Sequence, residues 1–98
     1  MPTKFQEKVY KICKRVPIGR VTTYKAIANA MGTKAYRAVG RALNKNPYAP
    51  KVPCHRIINS NGSIGGFASG IDKKIRLLRQ EGIIIEKNRI SDKYITRV

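Results

Sequence analysis

The segment TYKAIANAMGTKAYRAVGRALNK, residues 23–45, sets the architecture of this chain, because it encodes two short helices separated by a glycine. Thr22 or Thr23 is suited to cap the first helix, and Gly32 is suited to end it. Thr33 is suited to cap the second helix, in which apolar residues recur at intervals of three and four positions. These apolar residues are Ala35, Ala38, Val39, Ala42 and Leu43. Two helices joined in this way are typical of a helix-turn-helix unit.

The outward side of the second helix is strongly basic. Tyr36 lies at the edge of this basic face, and the helix carries no carboxylate to neutralise the charge. A charged helix face is most often merely solvated, but a basic face without carboxylate partners favours contact with DNA. The residues predicted to contact DNA from this face are Lys34, Tyr36, Arg37, Arg41 and Lys45.

The charge balance of the whole chain supports the same interpretation. The 98 residues suffice for one small domain, and they include 21 Lys and Arg against 5 Asp and Glu, for a formal net charge of +16. No acidic residue occurs between Glu7 and Asp72. Repulsion of this size is relieved by a polyanion, and nucleic acid is the expected one. A membrane surface or a heparin-type partner is disfavoured, because the sequence has neither an amphipathic cationic helix nor a contiguous Lys/Arg block.

Two amphipathic helices are expected outside the helix-turn-helix unit. The first ends before Pro17 and Gly19. Its apolar positions are Phe5, Val9, Ile12, Cys13 and Val16, so that Cys13 is expected in the core. Ser69 with Asp72 resembles a capping box that opens the second helix, which Gly82 ends. Its inward positions are predicted to be Ile71, Ile75 and Leu78.

Two β-hairpins are expected in the C-terminal half. Asn61-Gly62 lies between the apolar runs 57–59 and 63–64, which predicts a small hairpin wing. Residues 83–90 are compatible with a second short hairpin. With the four helices, these elements predict a mainly α, winged-helix-like helix-turn-helix domain with a small β-hairpin wing, spanning residues 1–98.

The pentapeptide Val52-Pro53-Cys54-His55-Arg56 joins a cysteine to the only histidine of the chain. Pro53 fixes its φ angle and lacks an N–H group, which favours a rigid turn over a helix interior. A neighbouring imidazole and a neighbouring cation both favour the thiolate, which is the nucleophilic form of cysteine. Cys54 is therefore a candidate nucleophile, and the alternative is a buried structural cysteine.

Metal and disulfide chemistry are not indicated by the residues. Two cysteines and one histidine cannot complete a four-ligand zinc site within one chain, and we expect no cofactor. A disulfide between Cys13 and Cys54 is possible in principle. However, no signal peptide or transmembrane stretch is visible, so we expect free thiols in the cytoplasm, close to the nucleoid in a prokaryote, or in the nucleus of a eukaryote.

Several short motifs follow one another in order through residues 3–82. They are Arg37-Ala38-Val39-Gly40, Asn46-Pro47, Pro53-Cys54-His55-Arg56, Gly65-Gly66-Phe67, Leu77-Leu78 and Glu81-Gly82. This series closely resembles the C-terminal domain of the alkylguanine-DNA alkyltransferases, the methylated-DNA–protein-cysteine methyltransferases. The resemblance implies DNA repair in which the protein binds the minor groove of double-stranded DNA and flips 6-O-alkylguanine into a pocket. The alkyl group then passes irreversibly to the protein's own cysteine, so that each molecule acts once.

The resemblance also assigns the residues of this reaction. It implies that Cys54 is the nucleophile and alkyl acceptor, that His55 deprotonates the thiol through a water, and that Glu81 orients the imidazole. Asn46 matches the position that ties the active-site turn to the helix-turn-helix. From the residues alone Glu81 would be a solvated carboxylate at a helix end, and only the resemblance gives it a catalytic role.

Further positions match the DNA and base contacts of the family. Arg37 matches the arginine that enters the base stack, and Tyr24 matches the tyrosine that donates a hydrogen bond to the lesion; we include the adjacent Thr23 among the DNA contacts. The implied pocket consists of Tyr24, Val52, Arg56, Phe67, Ala68, Ser69 and Lys74. Phe67 stands where a tyrosine is common, and Lys74 matches a basic residue near the thiol, beside the alternative of a solvated lysine.

Two interpretations of the function stay open at this point. The family's usual N-terminal domain has no counterpart here, and short chains of this kind resemble the alkyltransferase-like proteins, which bind the same lesions and hand them to another pathway. Those proteins carry tryptophan or another residue at the cysteine position, whereas Cys54 is present here. We expect alkyl transfer by a monomer, with lesion binding for a separate repair partner as the alternative. A winged-helix regulator or a cysteine hydrolase fits the motifs less well.

Overall fold

Four helices and four very short strands make up the part of the chain that the computed structural model describes, residues 2–49, 51–67 and 69–98. The helices are α1 (Lys4–Cys13), α2 (Tyr24–Ala30), α3 (Tyr36–Asn44) and α4 (Ile71–Gln80). The strands are β1 (Thr22–Thr23), β2 (Ile57–Ile58), β3 (Ile85–Glu86) and β4 (Arg89–Ile90), and short 3-10 helices occupy Cys54–Arg56 and Asp92–Tyr94. The predicted fold class, a mainly α helix-turn-helix domain with a small hairpin, is confirmed.

Helix α1 forms as its apolar spacing predicts, but it is shorter than expected. Thr3 caps it, because its hydroxyl accepts from the Gln6 amide at 3.1 Å while the Gln6 side chain accepts from the Thr3 amide at 2.8 Å. The helix ends at Cys13, and the following residues form tighter turns in which the Arg15 and Val16 amides donate to carbonyls three positions back.

The caps of the helix-turn-helix were predicted correctly for α2 and wrongly for α3. The Thr23 hydroxyl accepts from the Ala26 amide at 3.0 Å and caps α2 as expected. In contrast, the Thr33 hydroxyl accepts from the Ala35 amide at 3.2 Å, one residue before the helix. The chain turns tightly there, since the Tyr36 amide donates to the Lys34 carbonyl at 2.8 Å, and α3 therefore starts late.

The predicted hairpin wing at residues 57–64 is wrong in its pairing. Strand β2 pairs with β1 in parallel, in the register Thr22 with Ile57 and Thr23 with Ile58. The turn itself forms, because the Asn59 amide donates to the Ser63 carbonyl at 3.0 Å, but no ladder extends from it within the described residues. The antiparallel hairpin of this fold is instead β3–β4, as predicted for residues 83–90.

The start of α4 also differs from the prediction. Gly70 occupies the cap position with a φ of +101°, and no side chain caps the helix, so the capping box expected from Ser69 and Asp72 does not form. Ile71 was predicted to face inward and is 48% exposed, whereas Leu78 is fully buried. The first three residues of α4 are exposed, and its buried face begins at Lys74.

Two hydrophobic clusters hold these elements together. The first lies between α1, α2 and α3, where the Tyr10 hydroxyl also donates to the Ala42 carbonyl at 2.7 Å. The second lies beneath α4 and the C-terminal hairpin and contains Leu78, Ile85 and Ile90. Strand β2 contributes Ile57 to the first cluster and Ile58 to the second, and it also pairs with β1, so that the segment Ile57–Ile58 is held by both clusters.

No helix among the described residues is long and apolar enough to cross a membrane.

Replacing Thr23 with alanine should destabilise the protein by about 1 kcal/mol, because the substitution removes the cap of α2. Urea unfolding at neutral pH measures the change. Thr33→Ala is the matched control and should cost clearly less, since this hydroxyl does not cap a helix. Equal losses for the two variants would contradict the assignment of the cap.

Candidate active site and DNA-facing cleft

The turn that carries Cys54 is fixed by Asn46, which follows α3. The Asn46 side-chain amide donates to the Val52 carbonyl at 2.8 Å, while its carbonyl oxygen accepts from the Tyr48 amide at 2.9 Å. The Cys54 amide also donates to the Val52 carbonyl, at 2.9 Å. The structure thus brings Asn46 and the Cys54–Arg56 turn together, and the end of α3 determines where the thiol lies.

Glu81, directly after α4, closes this turn from the other side. One carboxylate oxygen lies 2.7 Å from His55 Nε2 and accepts from Arg56 Nη2 at 2.9 Å. The other oxygen accepts from Arg56 Nε at 2.9 Å. Arg56 also donates to the Val16 carbonyl at 2.9 Å, which connects the turn to the end of α1. The carboxylate is therefore not a solvated helix-end group.

The charge state of Glu81 determines the tautomer of His55. Burial by itself would raise the pKa of Glu81, but the hydrogen bonds from Arg56 and His55 outweigh it and lower the pKa below its ordinary value of 4.5. Glu81 is thus ionised at neutral pH and can only accept hydrogen bonds. His55 Nε2 must therefore carry the proton, and Nδ1 keeps a free lone pair when the ring is neutral.

Cys54 and Cys13 are both free thiols, as predicted, but their surroundings differ. Cys54 is half-buried at the start of its turn. Cys13 is completely buried in the first cluster, and this burial, followed by the charge of Cys54, raises the pKa of Cys13 to about 12. Only Cys54 combines access to solvent with a neighbouring imidazole, whereas Cys13 is a core residue.

Lys74 is completely buried in α4, which excludes the solvated alternative. Its ammonium donates to the carbonyls of Ile57, Ile64 and Gly66 at 2.6, 2.7 and 3.1 Å. Burial lowers the pKa of Lys74 to about 8, so the side chain still carries its charge at neutral pH. Its donors tie β2 to the glycine-rich loop, and the side chain therefore acts as a buried anchor.

A cleft of about 540 Å³ opens beside α2 and α3. Its volume lies within the range of small-molecule sites, about 300–1,000 Å³. The residues that line it are Tyr24, Lys25, Tyr36, Arg37, Gly40, Asn59, Ser60 and Asn61. Tyr24 links the cleft to the thiol, because Tyr24 and Cys54 pack against the same cluster. Burial and then the charge of Cys54 raise the pKa of Tyr24, so its hydroxyl keeps its proton.

The cleft contains residues that the sequence analysis had placed elsewhere or missed. Asn59, Ser60 and Asn61 were interpreted only as parts of a hairpin, Asn59 in its first strand and the other two in its turn, and Lys25 was not predicted as a site residue. Three polar side chains in a row after a buried strand could have suggested a site there. However, the sequence around these residues does not show that they face α3. Arg41, Lys45 and Lys34 are exposed on or beside α3, as expected.

The other described residues that were predicted to contact DNA or to line the pocket do not line this cleft. Thr23 is only 8% exposed and its hydroxyl caps α2, so its side chain does not lie on the basic face. The Arg56 guanidinium donates hydrogen bonds to the Glu81 carboxylate and to the Val16 carbonyl. Val52 is buried, Phe67 is half-buried and Ser69 is exposed at the start of α4. Ala68 lies outside the described residues.

Comparison with known proteins identifies the family. The family model of the 6-O-methylguanine DNA methyltransferase DNA-binding domain matches residues 4–83. The chain belongs to this family. It is 51% identical over 81 residues to the methylated-DNA–protein-cysteine methyltransferase of Methanosarcina acetivorans, which covers 82% of this chain and 52% of the relative. The chain spans about half the length of the curated relatives that it matches.

Solved structures of two kinds resemble this methyltransferase-family chain. The Mycobacterium tuberculosis OGT in complex with DNA superposes with a TM-score of 0.79 at 41% identity, over 83% of this chain and 51% of that chain. The S. pombe Atl1 in complex with damaged DNA containing O6-carboxymethylguanine superposes with a TM-score of 0.87 at 30% identity, over 100% of both chains. The fold of this chain is therefore shared with both OGT and Atl1.

Substituting Lys74 with methionine should destabilise the protein by about 3 kcal/mol, because it removes the ammonium that donates to the carbonyls of Ile57, Ile64 and Gly66, and the first two of these contacts are buried. Lys73→Met is the matched control on the exposed side of α4 and should change stability by less than about 0.5 kcal/mol. Chemical unfolding compares the two variants. Similar losses for Lys74→Met and Lys73→Met would show that the buried contacts do not stabilise the fold.

The Glu81 contacts predict a specific dependence of stability on pH. Because the folded-state pKa of Glu81 is lowered, its stabilising effect is present above the ordinary pKa of 4.5 and is lost as the pH falls through the folded-state value. The free energy of unfolding of the parent should exceed that of Glu81→Gln at pH 7, and the difference should shrink steadily below pH 4.5. The exposed Glu86→Gln is the control, whose difference from the parent should stay small throughout.

Proposed function

We propose that this protein binds double-stranded DNA containing 6-O-alkylguanine and transfers the alkyl group to Cys54, each molecule reacting once. The observation that carries the proposal is the arrangement of Glu81 and His55 behind an accessible cysteine, with 2.7 Å between Glu81 Oε2 and His55 Nε2. A carboxylate that fixes one imidazole nitrogen and leaves the other free to accept a proton is the usual arrangement for activating a nucleophile.

Cys54 supplies the nucleophile in this reaction. His55 accepts the thiol proton at Nδ1 through a water, and ionised Glu81 stabilises the resulting imidazolium. The thiolate then attacks the alkyl carbon, a sulfur–carbon bond forms, and the bond from that carbon to the guanine oxygen breaks. The electron pair of the broken bond stays with the guanine, and the protein keeps the alkyl group as a thioether.

In the proposed reaction Tyr24 assists the departure of the guanine. Charge develops on the guanine oxygen as the carbon–oxygen bond breaks, and a hydrogen-bond donor at that position lowers the barrier. Tyr24 lines the cleft, packs against the same cluster as Cys54 and keeps its hydroxyl proton because of its raised pKa. These properties support the role of Tyr24 as that donor.

The cleft beside α3 supports DNA as the partner. Arg37 and Tyr36 line it, and the exposed basic residues of α3 continue the surface. Gly40 faces open space, with no atom within 4 Å of where its Cβ would lie, so its lack of a side chain is not needed for packing within the chain. A glycine here allows the backbone of another molecule to approach, which fits insertion of α3 into the minor groove and flipping of the base.

Lesion binding without transfer is the second candidate function. It is favoured by the resemblance to S. pombe Atl1 in complex with damaged DNA, whose TM-score of 0.87 exceeds the 0.79 of the M. tuberculosis OGT in complex with DNA. The cleft and the basic face serve this function equally well. What distinguishes the two functions is the fate of the Cys54 thiol.

Intact mass spectrometry after incubation with a duplex containing one 6-O-methylguanine tests transfer. The parent should gain one methyl group, about 14 Da, because the thioether is permanent. Cys54→Ala should gain nothing and still bind the duplex. Cys13→Ala is the matched control and should gain the same mass as the parent. Selective binding of the lesion without any gain would assign the protein to lesion recognition, and methylation of Cys54→Ala would refute Cys54 as the acceptor.

A further inference from the structure

The hairpin β3–β4 lies beyond residues 4–83, which match the family model, and it contacts one wall of the cleft. Its turn, Lys87-Asn88, has positive φ angles of 52° and 60°, which suit a tight two-residue hairpin. The Ile64 amide donates to the Asn88 carbonyl at 3.0 Å, and the Ile90 amide donates to the Gly62 carbonyl at 2.9 Å. The hairpin thus supplies backbone partners for the segment that follows the cleft residues.

Arg89 extends this contact to the cleft wall itself. Its Nη2 donates to the Asn61 carbonyl at 2.6 Å, and Arg89 also bridges with Ser63 in antiparallel fashion. Gly62, between these residues, has a φ of +90°, and a Cβ there would lie 3.1 Å from the Ile90 carbonyl oxygen. The turn and the hairpin are therefore in direct backbone contact.

The turn at residues 59–63 is tied internally, so that it can move only as a unit. The Asn59 side-chain amide donates to the Ser63 hydroxyl at 2.8 Å. The Ser63 hydroxyl and amide donate to the Asn61 side-chain oxygen at 2.8 and 3.0 Å. A contact that fixes Asn61 therefore fixes Asn59 and Ser60 as well, and all three line the cleft with Arg37.

We propose that Arg89 is a positioning residue that holds the wall formed by residues 59–61 at the separation from α3 which a lesion-containing duplex requires. The inference rests on the proposed binding of alkylated DNA and does not depend on transfer to Cys54. Arg89 acts through Asn61 and does not itself touch the DNA. Losing the Arg89 side chain leaves the turn with only its backbone contacts at Gly62 and Ile64, so the wall is held less firmly. The loss of affinity then falls on the lesion complex, in which the cleft must be filled.

Equilibrium binding to two duplexes, one with a single 6-O-methylguanine and one unmodified, tests the role of Arg89. Arg89→Ala should weaken lesion binding about tenfold, the value expected for a lost charge-assisted hydrogen bond, and should weaken unmodified binding much less. Arg97→Ala, which removes an exposed arginine of the same tail, is the matched control and should lower both affinities equally and slightly. Thermal unfolding of each variant verifies that the fold is retained.

The salt dependence separates positioning from a direct phosphate contact. If Arg89 contacted a phosphate, Arg89→Ala would reduce the slope of log affinity against log salt by about 0.9. If Arg89 only positions the wall, the slope of Arg89→Ala should equal that of the parent. Gly62→Ala disturbs the same junction without removing a charge, and it should reproduce the lesion-selective loss. Alkylation of Cys54 by iodoacetamide should proceed equally in the parent and in Arg89→Ala.

Each outcome of these measurements decides the inference. A reduced slope for Arg89→Ala, or equal effects of Arg89→Ala and Arg97→Ala, would overturn it. A parent that discriminates between the duplexes but gains no mass refutes transfer and leaves the role of Arg89 standing. A parent that binds both duplexes alike overturns the proposed function together with this inference.

Discussion

The arrangement of the site depends on one carboxylate in a strongly cationic protein. Glu81 accepts from His55 and from Nε and Nη2 of Arg56, and Nη1 of Arg56 donates to the Val16 carbonyl. These contacts join the end of α4, the cysteine turn and the segment after α1. The chain has 5 acidic residues against 21 basic ones, and this carboxylate lies where a partly buried guanidinium and a buried imidazole both bind it.

Lys74 is a second charged side chain that the fold buries, and its charge is positive. A buried ammonium is costly unless its donors are satisfied, and three carbonyls from β2 and the following loop satisfy them. The side chain replaces the backbone ladder that a longer sheet would provide. Two-residue strands alone could not hold the loop, and the lysine and the C-terminal hairpin together give it partners on two sides.

Sequence reasoning was most successful where the information is local. Periodicity identified the four helices, and the hydroxyl of Thr23 caps α2 as expected. It failed at Asn61-Gly62, because the turn forms but its strand pairs with β1, far away in the sequence. It also left Lys74 undecided, since a lysine on an amphipathic helix gives no indication that three distant carbonyls surround it. For Glu81 the family motif was informative where composition was not.

The contacts that shape the cysteine turn do not involve the thiol. Asn46 holds the Val52 carbonyl, Arg56 and Glu81 hold the other end, and the sulfur takes part in neither set. The same turn can therefore persist with a different residue at position 54, because its geometry is imposed by its neighbours. This explains how one framework can fit both a DNA-bound OGT and a lesion-bound Atl1. Under the proposed function, recognition belongs to the cleft and the basic face, and chemistry belongs to the side chain of Cys54 with its His55 and Glu81 partners.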